Sequence, residues 1–397
     1  MTTNILKKYP SFILIVMLVL LAFIPRLWNL TTSTPLVVDE PAYLRDIAKL
    51  LTSPGFYPVN FQWDFSQATL MYYPTILLIQ IFHVSNWLLA LRIVSVIFSI
   101  SALIPFYFLA KRYTNITVAF CITLLFSYSY YFLQFSRVGW GVIYTLSLGL
   151  YAIFFAITAI ERKSIVFVIL SGLFSGLTLY SYRSGEIYVV TVIILFLFSK
   201  QRLVYLSTFL LTILIIFFPW LNQVIHHWDL FTLRSRVVAI NNVNLPYHGL
   251  YTFPEIIWYQ IKTTFLSWIT LLPVNGGGIE DPRYLPLRLS PISPVLIPLF
   301  WAGIFFAFQK IQKTFYLFVI YFLGLFFGQI LTVDPPNGAR GLILLPIIYL
   351  FCGLSLFQFY KLYKNNRIAS VILVTFSIIL ALIDFLYYQH WMTFIKV

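Results

Sequence analysis

In the stretch "LVVDEPAYLRDIAKLL", residues 36–51, two adjacent carboxylates, Asp39 and Glu40, follow closely on a long apolar run. A carboxylate at such a boundary has two readings. It can cap the free N–H groups of the helix that follows. It can also serve as the general base that takes a proton from an attacking hydroxyl. If that hydroxyl attacks a sugar whose phosphate leaves, inversion requires the base and the leaving phosphate on opposite faces of the ring. A second constellation is cationic. Arg26, Arg92, Arg137, Arg183 and Arg340 lie at the ends of apolar runs or in short connections. A guanidinium is a bidentate match for phosphate, and Arg137, Arg183 and Arg340 are the candidates for a phosphate contact. Gly338 and Gly341 flank Arg340 and would permit close backbone approach. Each arginine can equally snorkel or pair with an acid such as Glu186 or Asp334. His226, His227 and His248 match no zinc spacing, so no metal ligand is assigned, and dependence on a divalent metal is left open. Cys121 and Cys352 both sit in apolar runs and imply no disulfide framework.

The elements that must position these residues follow from composition. The chain has 397 residues, of which 60% are hydrophobic and only 10% charged, with a mean hydropathy of +0.89. A soluble domain averages about 25% charged residues, so the expectation is an all-α polytopic membrane protein. Apolar runs at 11–30, 87–110, 116–135, 141–160, 164–182, 187–199, 203–220, 291–309, 314–333, 341–360 and 368–388 predict about eleven spans. The first is too long for a signal peptide and lacks a small-residue cleavage site. With the N-terminus in the cytoplasm, every second connection carries a basic cluster: Lys111 and Arg112, Arg162 and Lys163, Lys200 and Arg202, Lys310 and Lys313, then Lys361, Lys364 and Arg367. The net charge of +14 is then mainly a topology signal. No basic face of the kind that binds nucleic acid is visible. All five histidines and nearly all the acids fall on the outer side, together with two long loops, 31–86 and 221–290. Chemistry there has no access to cytoplasmic nucleotides and needs a donor already carried across the bilayer on a lipid phosphate; no P-loop signature is present.

Within the first loop, Leu44, Ile47, Ala48 and Leu51 recur at helical spacing, with Arg45, Asp46 and Lys49 on other faces, and "TSPG" stops the pattern. This predicts a short amphipathic helix in the membrane interface. In the second loop, "NGGGIEDPRY", residues 275–284, is a candidate lid or acceptor loop, or a plain linker. No appended outer sugar-binding domain is expected after the last span.

Six motifs in order carry a resemblance to a known family. They are "PRLWNL" leading to "VVDEPAYLRDIAKLL"; "YYPTILLIQIF" with "ALRIVSVIFSISALIPFYFLAKR"; "FSRVGWGVIYTLSLGL"; "LSGLFSGLTLYSYRSGE"; "DPRYLPLRLSPISPVLIPLFWAGI"; and "GARGLILLPIIYLFCGL". The chain resembles the GT-C glycosyltransferases, specifically the family 39-like enzymes related to protein O-mannosyltransferases and bacterial aminoarabinose transferase. The resemblance runs over most of the chain and implies one GT-C transmembrane domain over 1–397. It implies inverting transfer of a hexose or pentose from a polyprenyl-phosphate donor to the hydroxyl of a protein, lipid or glycan. The enzyme would be multi-pass in the plasma membrane, in contact with membrane lipids, with its active site on the outer face. Asp39 matches the family's first-loop acid, held to be the base or to orient the acceptor, and Glu40 would support it. "SRVGWGV" lacks a further acid found in related enzymes, and "MYYP" lacks a histidine some members carry. Two other classes fit a polytopic chain of this kind: a transporter or flippase of lipid-linked saccharides, and a polymerase or ligase. The first would favour paired halves with broken spans; the second should lack the acid pair.

Overall fold

The computed structural model describes residues 10–32, 36, 39–53, 69–242, 244–269, 290–333, 337–363 and 365–394. These form a bundle of helices, as lipid requires of a chain that must satisfy its backbone internally. In order they are α1 (Pro10–Leu27), α2 (Asp39–Thr52), α3 (Tyr72–Phe82), α4 (Trp87–Ser101), α5 (Leu103–Tyr113), α6 (Ile116–Tyr128), α7 (Tyr130–Arg137), α8 (Gly141–Arg162), α9 (Ile165–Thr178), α10 (Gly185–Leu197), α11 (Arg202–His226), α12 (Trp228–Val238), α13 (Phe253–Ile269), α14 (Leu296–Gln309) and α15 (Ile311–Leu325). A π-helical turn, Phe326–Ile330, and a single α-turn, Gly338–Gly341, precede α16 (Leu344–Leu362) and α17 (Asn366–Phe394). Among the described residues β pairing is limited to two isolated bridges, Ala239 with Thr332 and Tyr247 with Leu250.

All the predicted apolar runs fall on helices, but their number as spans is not fixed at eleven. Among the described residues six helices are long and apolar enough to cross a membrane, or seven if the bent pair α6–α7 is one span. The helices over the first, fifth, sixth and eighth runs are shorter. The bundle is layered. In α8, 78% of the apolar window is buried, against 17% in α11. The first therefore runs through the protein interior, and the second shows most of its surface to lipid. Gly303 lets α14 lie directly against α16, because a Cβ there would strike the Phe351 carbonyl.

The break in α6–α7 shapes the site. Ser129 leaves the helical region at φ −49° and ψ 125°, and the chain turns by 58°. The Ser129 hydroxyl accepts from the Phe132 amide at 3.5 Å, so the same residue that ends α6 caps α7. At the opposite end of the bundle Arg112 pairs with Glu161, and Lys111 donates to Ser11 at 2.8 Å. These contacts put α1, the α5–α6 connection and the α8–α9 connection together.

Candidate active site

The helix predicted after the acid pair is present as α2, with Asp39 and Glu40 in its first turn. Its buried stripe is not the predicted one. Tyr43, Asp46, Ile47 and Leu50 are buried, whereas Leu44, Ala48 and Leu51 are half-buried and Arg45 and Lys49 are exposed. The stripe is turned by one residue because polar anchors, besides apolar area, choose the inward face. Asp46, placed by sequence off the apolar face, is 1% exposed. The Tyr72 hydroxyl of α3 donates to its Oδ2 at 3.1 Å, and Lys49 Nζ lies 3.5 Å from its Oδ1.

Glu40 is the other anchor. It meets Arg92 of α4 as a two-pronged ion pair in which both side chains are fully buried. Arg92 Nε donates to Oε1 at 2.8 Å and Nη2 to Oε2 at 2.7 Å. The Gly139 amide, in the turn between α7 and α8, donates to Oε1 at 2.8 Å. Arg92 Nη1 donates to the Leu30 carbonyl just beyond α1 at 2.8 Å. Asp39, one residue earlier, is half-buried. The pair thus divides: one carboxylate is held inside, and its neighbour stands at the surface of the same turn.

The short helix α7 joins this corner to the arginines. Arg137, at its end, is fully buried and donates to carbonyls that close α1. Nη1 reaches those of Pro25 and, at 3.3 Å, Arg26; Nη2 reaches Trp28 at 2.7 Å and Asn29 at 3.4 Å. It is a helix C-terminal cation of the kind the macrodipole favours. Arg26 is built in similarly, donating to Ser99 at 3.0 Å, to Ala22 at 3.0 Å and to the Ser127 carbonyl at 2.9 Å. Tyr131, also on α7, donates to the Gly338 carbonyl. That contact brings the Gly338–Gly341 turn, and so Arg340, to α7. Asn337 caps this turn, its Oδ1 accepting from the Arg340 amide at 3.0 Å. Gln329, in the π-turn, holds Asn337 reciprocally through that residue's carbonyl and amide, both at 2.9 Å. Arg340 Nη2 donates to the Val333 carbonyl at 2.6 Å and Nη1 is buried, while the residue as a whole is half-buried.

Arg183 reaches the same region from another direction. Its segment packs on the turn after α7: Tyr182 meets Trp140 edge-on at 6.4 Å, and Ser181 and Thr145 share a hydrogen bond of 2.6 Å. Arg183 pairs with Glu186 at 3.0 Å, one of the two acids named from sequence as possible arginine partners, and lies 4.2 Å from the Phe231 ring of α12.

The burial of Asp46 was missed in the sequence, although it interrupts an apolar stripe at i+3 from Tyr43. Arg92, singled out there as a cation needing an anion, was not matched to Glu40 as its partner. A third buried acid among the described residues is Asp384 of α17. The histidines look elsewhere: His226 Nδ1 is 2.7 Å from the Asn222 carbonyl of its own helix, and His248 stacks on Tyr259 at 5.1 Å. Among the described residues no three His, Cys, Asp or Glu side chains converge as a metal would need. The 275–284 segment and Asp334 lie outside the described residues.

This arrangement of helices and loops is the GT-C fold. The apo oligosaccharyltransferase of Archaeoglobus fulgidus matches with a TM-score of 0.62 at 14% identity, over 97% of this chain and 56% of that one. Apo ArnT of Cupriavidus metallidurans matches with a TM-score of 0.62 at 11% identity, over 86% of this chain and 59% of that one. ArnT bound to undecaprenyl phosphate matches with a TM-score of 0.56 at 13% identity, over 95% and 74%. The chain spans a little over half the length of the first two. No protein-family model matches the sequence, and no curated protein does. The protein is therefore a multi-pass helical membrane protein with the GT-C fold.

Proposed function

We infer that the chain is a glycosyltransferase that moves a hexose or pentose, with inversion, from a polyprenyl-phosphate donor to an acceptor hydroxyl on a protein, lipid or glycan. The observation that carries this reading is the division of the acid pair on a GT-C fold: Glu40 is locked inside, while Asp39 is presented half-exposed on the same helical turn. ArnT with undecaprenyl phosphate and the oligosaccharyltransferase tethered to an acceptor peptide support a polyprenyl donor and an external acceptor.

In this reading the Asp39 carboxylate takes the acceptor proton, or orients the hydroxyl, as the new C–O bond forms. The lipid phosphate leaves from the opposite face of the sugar. Arg340 is the first candidate for neutralising that phosphate and Arg183 the second, because Arg137 is engaged by the carbonyls that end α1. The positive-inside pattern puts the N-terminus in the cytoplasm and α2 at the outer face of the plasma membrane.

The test is transfer from a panel of labelled polyprenyl-phosphate pentoses and hexoses, with membranes that contain or lack the protein. The reading expects protein-dependent label in an acceptor and stoichiometric release of polyprenyl phosphate for at least one sugar. Movement of lipid-linked sugar across vesicles with no bond cleaved for any donor would make the chain a transporter instead.

A further inference from the structure

We propose that Glu40, Arg92 and the Gly139 amide form a positioning lock for Asp39, with Glu40 acting through its neighbour and not on substrate; this rests on the reading of Asp39 given above. Glu40 and Arg92 are both fully buried, and among the described residues the Glu40 carboxylate takes two donors from the Arg92 fork and one from the Gly139 backbone. A carboxylate so engaged has no open approach for an acceptor hydroxyl. Its geometry is nevertheless unusually well determined, because the planar fork fixes orientation as well as distance.

The lock gathers four parts of the chain. Glu40 comes from the first turn of α2, Arg92 from α4, and Gly139 from the turn between α7 and α8. Leu30, whose carbonyl takes the remaining face of the guanidinium, lies beyond the end of α1. Gly139 is what lets the last part close. A Cβ there would strike the Leu91 side chain and lie 3.3 Å from Glu40 Oε1, so the amide reaches the carboxylate only because the residue has no side chain.

Asp39 is bonded directly to the locked residue and shares its helical turn, so its Cα is about 3.8 Å from that of Glu40. Holding Glu40 therefore fixes where the Asp39 side chain leaves the backbone. Stability alone does not call for this arrangement, since a buried ion pair can often be replaced by apolar groups without loss. An apolar pair would not fix the rotation of α2 as a fork does. The lock also explains why the buried stripe of α2 is turned by one residue from its apolar pattern.

The test uses the full-length protein in detergent or vesicles, with Glu40→Gln and Arg92→Lys each made in the parent and in an Asp39→Asn background. Single-turnover transfer at saturating donor, donor KM and thermal unfolding are measured. Arg92→Lys keeps the charge and loses the fork, so it reports on orientation even if Glu40→Gln folds poorly. The lock predicts about a tenfold or greater fall in rate for each variant in the parent, with donor KM little changed. In the Asp39→Asn background the same changes should alter the residual rate by less than about twofold, because residues that act as a unit are not additive. The thermal loss should be equal in both backgrounds. Equal losses of rate in the two backgrounds would overturn the lock, as would an Arg92→Lys variant that transfers like the parent. Near-parental transfer by Asp39→Asn alone is a separate result, which removes the base reading on which the lock depends.

Discussion

An arginine meets a phosphate well only if its guanidinium is held in place while one edge still faces the ligand. Arg340 is the first candidate proposed for that role: one terminal nitrogen is fixed by the Val333 carbonyl at 2.6 Å, the other is buried, and the residue as a whole is half-buried. Arg340→Ala should therefore weaken donor binding by about 1.5–3 kcal/mol, or about tenfold to a hundredfold. Arg340→Lys should lose less, keeping the charge without the fork. Binding of labelled polyprenyl phosphate to the two variants checks this, and parental affinity in both would remove Arg340 from the phosphate. At this scale sequence showed which residues could do chemistry but not how they were paired. Arg137, Arg183 and Arg340 look alike in the chain. Only their surroundings distinguish a helix-end cation on carbonyls, an ion pair with Glu186 and a partly anchored guanidinium.

At the scale of elements, α2 was legible as a helix and illegible in its rotation. Apolar spacing favours the stripe through Leu44, Ile47, Ala48 and Leu51, yet Tyr43, Asp46, Ile47 and Leu50 turn inward. The difference is electrostatic: Glu40 and Asp46 both point inward because Arg92 and Tyr72 are there to meet them. An apolar pattern cannot register a partner that arrives from a helix dozens of residues away. Tyr72→Phe removes the donor to Asp46 Oδ2 and keeps the ring. It should cost about 1–3 kcal/mol, the range for stranding a buried acceptor. Denaturant unfolding in detergent measures this, and an unchanged midpoint would mean that the Asp46 contact contributes nothing to holding α2. Breaking the Glu40–Arg92 pair at one partner should cost more, about 3–5 kcal/mol. The bend at Ser129 was also hidden in the sequence, because "SYSYY" holds no Gly, Pro or charge to mark a break between the apolar stretches on either side.

For the whole molecule, the apolar runs all became helices, and the GT-C resemblance was readable from six short motifs in order. The number of spans was less readable, since short helices and a bent pair blur the length on which such a count depends. The Arg112–Glu161 pair sets two predicted inner connections side by side, as the alternation of basic clusters requires. Cysteines placed at Arg45 and Lys163 should be labelled by an impermeant reagent from opposite sides, Arg45→Cys from outside. Labelling of Arg45→Cys only from the cytoplasm would invert the proposed topology. All scales converge on one carboxylate. The first helix ends, Glu40 is locked, α2 begins, and Asp39 stands half-buried on a fold shared with an oligosaccharyltransferase and with ArnT. The most direct test is single-turnover sugar transfer by Asp39→Asn at matched expression, with donor binding measured alongside. Asparagine keeps the shape and much of the hydrogen bonding an N-cap would make but cannot take a proton. Loss of about 10²–10⁴ in rate with donor binding intact is the predicted result; transfer at the parental rate would contradict it.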